Sequence, residues 1–142
     1  MLIGIPPIIS PELMKVLMEM GHGDELVLGD ANFPSTSMGR RVVRADGHSI
    51  VPLLDAIMQF FPLDESVQKP LLCMAVPAGT KNQPPIWDEY RRVIAAHVGS
   101  AAELVFLERF EFYDRAQQAY AIVATGERAL FGNLLLKKGV VA

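Results

Sequence analysis

The chain has a single cysteine and neither of the glycine fingerprints by which proteins cradle nucleotides. One thiol excludes a disulfide framework within the chain. Cys73, set in the apolar run Leu71-Leu72-Cys73-Met74-Ala75-Val76, reads as a small buried hydrophobe rather than a nucleophile. No Gly-x-Gly-x-x-Gly follows a predicted strand and no phosphate loop ends in Gly-Lys-Ser/Thr, so any chemistry is expected to be cofactor-free. Basic residues are scattered, 13 against 16 acidic for a net charge of −3, which argues against a nucleic-acid partner because phosphate binding needs clustered Lys and Arg. Apolar runs are interrupted by charge or proline well before bilayer length, so no membrane span is expected. The first residues show neither a basic start nor a cleavage site, which predicts no signal peptide and a cytoplasmic location.

What is present suits one domain over residues 1–142, long enough to bury a core without staples. A hydrophobic content of 51% is high for this length and predicts that some apolar surface is buried between subunits of a homo-oligomer. Ser10 caps a predicted helix, Pro11 suits its first turn, and Leu13, Val16, Leu17 and Met20 recur at helical spacing before Gly21 ends it. Further helices are predicted over 49–61, 86–98 and 110–118, and strands over 25–29, 41–44, 71–76, 103–107, 120–125 and 134–136. The Pro, Ser and Gly-rich stretch 31–39 reads as a loop after a strand's carboxyl end, where open α/β sheets put their ligands. Alternating helices and strands without internal repeats predict a three-layer α/β/α domain around a central sheet.

The densest chemistry lies in residues 21–33. His22 sits between two glycines, a short apolar strand follows, and Asp30 closes it, placing an acid/base group at each end of a rigid spacer. Gly21-His22-Gly23 reads equally well as a helix C-cap, with glycine left-handed and histidine near the last carbonyls. His22, Asp24 and Asp30 are also ordinary ligands for a divalent ion, which would suit a metal-dependent hydrolase, although no His-x-x-x-His pair or cysteine spacing supports a metal. His48 and His97 read as surface or capping residues. Towards the C-terminus Arg109, Tyr113, Tyr120 and Asn133 fall near predicted strand ends or short helices and supply what a sugar needs: fork donors, hydroxyls and an amide. Each has a plainer reading, the tyrosines as amphipathic core edges and Arg109 as a surface ion pair with Glu108 or Asp114.

Longer motifs are more specific. Ile9-Ser10-Pro11-Glu12-Leu13, Met20-Gly21-His22-Gly23-Asp24-Glu25, Asp30-Ala31-Asn32-Phe33-Pro34, Ser37-Met38-Gly39, Arg44-Ala45-Asp46-Gly47, Thr125-Gly126-Glu127-Arg128 and Gly132-Asn133 with Leu135-Leu136-Lys137-Lys138-Gly139-Val140 stand in this order along the whole chain. So does Phe112-Tyr113 with Arg115-Ala116-Gln117. Together they resemble the L-fucose mutarotase family, which is related to the D-ribose pyranases. The resemblance implies a three-layer α/β fold, an isomerase of carbohydrate metabolism that interconverts sugar anomers, His22 as catalytic proton donor, and a sugar site formed by Asp30, Arg109, Phe131, Gly132 and Asn133. Tyr120 is expected to help Arg109 hold the sugar, and Asp30 to bind hydroxyls and orient the His22 imidazole. The resemblance further implies a monosaccharide partner with L-fucose foremost, no metal, and ring-like oligomers, a decameric ring among them, with sites close to subunit contacts. Members often carry His where this chain has Asn32 and Tyr where it has Phe131; the stacking face is kept and a hydroxyl is lost. A different class of function, a non-catalytic or transport-associated sugar-binding oligomer, is consistent with those two departures.

Overall fold

A computed structural model describes residues 1–66, 70–99 and 103–142. Its elements run α1 (Pro11–Glu19), β1 (Glu25–Gly29), α2 (Ser35–Met38), β2 (Val42–Ala45), α3 (Ile50–Met58), β3 (Leu71–Met74), α4 (Ile86–Val98), β4 (Val105–Leu107), α5 (Arg109–Gln118), β5 (Ala121–Thr125) and β6 (Leu134–Lys137). The strands form one sheet in the order β2-β5-β1-β6-β3-β4. β1, β2 and β5 pair in parallel, as do β3 and β4, while β6 runs antiparallel to both β1 and β3. Five strands therefore point one way and β6 is threaded between them in the opposite sense. Their carboxyl ends share one edge of the sheet, where β6 begins.

Alternation along the strands sorts side chains onto two faces. Leu26, Leu28, Val123, Leu134 and Leu136 pack with α1, α3 and α4. Val27, Ile122 and Leu135 face the other way and pack against Phe33, Phe112 and Ala116 of the α2 and α5 layer. This is the three-layer α/β/α arrangement expected from the alternating pattern. No helix among the described residues is long and apolar enough to cross a membrane.

Several local expectations are refined. Ser10 caps α1 as expected, its hydroxyl accepting from Leu13 N at 3.1 Å. Ser49 precedes α3, but the cap bond comes from far along the chain: Ile50 N donates to Glu127 Oε2 at 3.2 Å. The stretch 31–39 is not wholly a loop. Phe33 is buried as an anchor, and Ser35–Met38 close a single helical turn with Met38 N donating to Pro34 O at 3.1 Å. Helix α1 ends at Met20 in extended backbone rather than on a left-handed Gly21; the positive φ of 85° belongs to Gly23, in the turn that launches β1. The C-cap reading of Gly21-His22-Gly23 is therefore not what the fold uses. Lys138 does that work instead, its Nζ donating to Leu17 O at 2.9 Å and to Met20 O, where a cation suits the helix's carbonyl end.

Candidate active site

The carboxyl edge of the sheet gathers Asp30, the segment 131–133 that feeds β6, and the start of α5. Asp30 follows β1 and is buried; its backbone N–H donates to Asn133 Oδ1 at 2.7 Å. One carboxylate oxygen accepts from Asn32 N at 2.9 Å. Burial pushes the Asp30 carboxyl above the ordinary carboxylate value, with hydrogen bonds from Asn32, Phe33 and Asn133 working against that shift. A pocket of about 400 Å³ opens beside it, lined by Asp30, Phe33, Ser35, Thr36, Arg44 and Asp46 among others. A raised pKa in a pocket that also presents hydroxyls and a guanidinium marks a binding-site candidate on physical grounds.

The segment 131–133 is held from behind. Phe131 stands at φ 58°, a left-handed conformation uncommon for a side chain of this size. Two donors from α4 hold it there: Trp87 Nε1 to Phe131 O at 3.1 Å and the buried Tyr90 hydroxyl to Gly132 O at 2.6 Å. Gly132 is required by space, since a Cβ there would lie 2.9 Å from the Ala129 carbonyl and 3.3 Å from Glu127 Cγ. Glu127, buried, also accepts from Ala129 N at 2.9 Å, so one carboxylate ties this segment to the start of α3. The Asn133 amide nitrogen lies 3.8 Å from the Met74 sulfur, a weak partner for a donor.

Arg109 opens α5 at the same edge. Its Nε donates to the Tyr113 hydroxyl at 3.2 Å and its guanidinium lies 5.4 Å from the Phe110 and Tyr113 ring centres. Tyr113 in turn meets Phe33 edge-on at 5.7 Å, which links Arg109 through two rings to the Asp30 turn. The expected pairing of Arg109 with Glu108 or Asp114 is not what the structure shows.

His22 and Tyr120 lie at the opposite edge. Gly23 N donates to Lys138 O at 2.8 Å and Glu25 pairs with Lys137, so the His22 turn sits beside the end of β6, whereas Asp30 sits beside its beginning. Five strand residues at about 3.3 Å each separate the two ends of β1 by roughly 17 Å. Within one copy Asp30 therefore does not orient the imidazole. The carboxylate that the imidazole meets is Asp64, with His22 Nε2 3.3 Å from Asp64 Oδ1. For the same reason His22, Asp24 and Asp30 do not come together as a ligand set within one copy. Tyr120 precedes β5; its hydroxyl lies 3.3 Å from Glu19 Oε2, and Arg41 covers its ring at 4.1 Å. It belongs to the His22 edge and does not join the Asp30 pocket. His97 pairs with Asp55 at 2.8 Å, a surface contact as expected. Burial pushes the Cys73 thiol up to about 12, in keeping with an inert core residue.

Sequence reasoning did not find Asp64, Glu127, Trp87 or Tyr90. Glu127 lies inside a motif quoted above without a role, and nothing local to Trp87 or Tyr90 signals that their polar ends reach a segment 42 or more residues away.

The RbsD / FucU transport protein family matches residues 3–141 of the chain. An L-fucose mutarotase of Haemophilus influenzae is 51% identical over 140 residues, covering 99% of this chain and 97% of the relative. An L-fucose mutarotase of Histophilus somni is 49% identical with the same coverage. Among solved structures, the fucose mutarotase of Streptococcus pneumoniae in complex with L-fucose superposes with a TM-score of 0.95 at 49% identity, covering 99% of this chain and all of that one. Bacillus subtilis RbsD, at 19% identity, a TM-score of 0.68 and 94% of this chain covered, shares the fold. With a match along nearly its whole length, supported by relatives at half identity, the chain belongs to the RbsD / FucU family.

Proposed function

We propose that this protein is an isomerase that interconverts the α and β anomers of L-fucose by acid/base-assisted ring opening. The observation that carries the reading is the carboxyl-edge site: a buried Asp30 whose backbone N–H donates to Asn133 Oδ1, beside a backbone segment held in strained geometry by Trp87 and Tyr90. Strain of this kind persists where surrounding structure over-determines it, and that is common at ligand sites. The 49% identity to a fucose mutarotase in complex with L-fucose supports the substrate.

Mutarotation needs only protons moved. An acid protonates the ring oxygen as a base takes the anomeric hydroxyl proton, the ring C–O bond breaks, the aldehyde turns, and the ring closes on its other face with the protons returned. In this reading Asp30 and Asn133 hold sugar hydroxyls, Arg109 adds its fork from the start of α5, Phe131 offers a stacking face, and His22 donates to the ring oxygen. Positioned acid/base groups typically contribute about 10²–10⁴-fold.

Because His22 and Asp30 stand at opposite edges of one sheet, a complete site needs His22 from a second copy. The contact is head-to-tail, the kind that closes into rings. Exposed apolar residues at both edges support it: Phe110 and Leu130 at the carboxyl edge, Val140 and Val141 beside His22. A homo-oligomer is part of the proposal, and dissociating it should end activity without unfolding the chain.

The test is saturation-transfer NMR of anomer exchange across a panel of reducing sugars. Exchange of L-fucose well above the spontaneous rate, lost in His22→Ala and unaffected by chelator, is expected. Exchange at the spontaneous rate with intact L-fucose binding would leave a sugar-binding protein without turnover.

A further inference from the structure

Three carboxylates are buried among the described residues: Asp30, Asp64 and Glu127. Asp30 lines the sugar pocket and Glu127 is used up on backbone N–H groups. Asp64 lies in the connection after α3, on a groove of about 840 Å³ that His22 also lines. Its Oδ1 accepts from Ser66 N at 3.0 Å and from the Ser66 hydroxyl at 2.6 Å, which would by itself make a local turn. A turn needs neither a full negative charge nor a third partner 42 residues away, and Oδ1 also meets His22 Nε2.

The two segments are held rigidly against each other. Asp64 N donates to Lys137 O at 3.0 Å and Gly139 N to Pro62 O at 2.8 Å, while on the other side Gly23 N donates to Lys138 O and Lys138 N to Asp24 O, both at 2.8 Å. The end of β6 is thus a common post for both residues. The Ser66 hydroxyl, followed by the Ser66 amide and His22, holds the Asp64 carboxyl below the ordinary range, so it is ionised at neutral pH.

We propose that Asp64 is the positioning residue for His22: its Oδ1 accepts from Nε2–H, which fixes the neutral ring with its proton on Nε2 and leaves Nδ1 facing outward to exchange a proton with the sugar of a neighbouring copy. When the ring carries its second proton, the adjacent carboxylate stabilises the imidazolium that serves as the acid. The inference rests on the reading of His22 as proton donor. Other charged groups near His22 are Asp24 in its own turn, Glu65 beside Asp64, Lys138 at the end of β6, His97 on α4 and Glu103 before β4. Of these the imidazole bonds Asp64.

Asp64→Asn tests it, because an amide oxygen still accepts from both Ser66 donors while the charge is gone. L-fucose exchange should fall about tenfold, because the charge that stabilises the imidazolium is lost, with L-fucose affinity within about twofold of wild type. On a His22→Ala background, Asp64→Asn should change nothing further. Wild-type exchange in Asp64→Asn, with His22→Ala inactive, would overturn this inference alone and leave Asp64 as a turn residue. Wild-type exchange in His22→Ala would overturn the reading of His22 and this inference with it.

Discussion

Asp30 and Asp64 are both buried carboxylates, and their surroundings push them in opposite directions. Burial raises Asp30, so its charged form costs stability at neutral pH; that cost fades as the pH falls through the raised folded value towards the unfolded value of about 3.8. Asp64 is lowered, chiefly by Ser66, so its contribution to stability is present above about 3.8 and is lost as the pH falls through the lower folded value. Asp30→Asn should therefore raise the thermal midpoint at pH 7, with the gain shrinking towards pH 4. Its L-fucose affinity should fall about tenfold to a hundredfold, as expected for loss of about 1.5–3 kcal/mol of hydrogen bonding to a charged group. Thermal melts at both pH values and a sugar titration check both parts; a lower midpoint at pH 7 would contradict the cause assigned to Asp30. A second expectation concerns Phe131. If a hydroxyl at this position serves as a second relay, Phe131→Tyr should speed pyranose–furanose exchange of ribose while leaving anomer exchange near wild type; no gain would leave Phe131 as a packing residue.

At the level of elements, the sheet core was legible because periodicity reports burial. β1 over Glu25–Gly29 and α4 over Ile86–Val98 fall where the pattern places them. The ends of elements drift by a residue or two, as for α5, which begins at Arg109 rather than Phe110. What the pattern could not show was long-range support. Ser49 looks like a cap, yet Glu127 makes the bond, because the cap that wins is decided by which loop packs there. The motifs brought out His22, Asp30 and residues 131–133 as a set. The strand between His22 and Asp30 already sets them at two edges, and the antiparallel direction of β6 is what places residues 131–133 at the Asp30 end. Within one copy Tyr120 stands apart from the Asp30 pocket, because it precedes β5 and the pocket lies beyond that strand's other end.

The supports of 131–133 and of the His22 turn can be probed separately. Tyr90→Phe leaves the Gly132 carbonyl without its buried donor, which should cost about 1–3 kcal/mol and weaken L-fucose binding more than a substitution elsewhere on α4. Lys138→Met removes the cation from the carbonyl end of α1; about 1 kcal/mol of stability and a larger share of turnover than of sugar affinity should be lost, because it frees the turn that carries His22. Chemical denaturation and steady-state exchange measure both.

For the whole molecule, the separation of His22 from Asp30 matters most. A sheet with five strands running one way has one edge of carboxyl ends and one of amino ends; Asp30 and Asn133 stand at the first and His22 at the second, and the proposed site draws its binding groups from one and its proton donor from the other. The proposed head-to-tail association would bring the two edges together and bury the apolar residues exposed at each. Light scattering should accordingly report a multiple of the single-chain mass at micromolar concentration.

The most direct measurement is subunit complementation. His22→Ala and Asp30→Ala chains, each inactive alone, are mixed, dissociated and reassembled, and L-fucose anomer exchange is followed by NMR. In a randomly mixed ring with head-to-tail contacts, about a quarter of the contacts would pair an intact His22 with an intact Asp30. Recovery of roughly that fraction of wild-type exchange is the expected result, and activity no greater than that of either parent alone would contradict a site shared between copies.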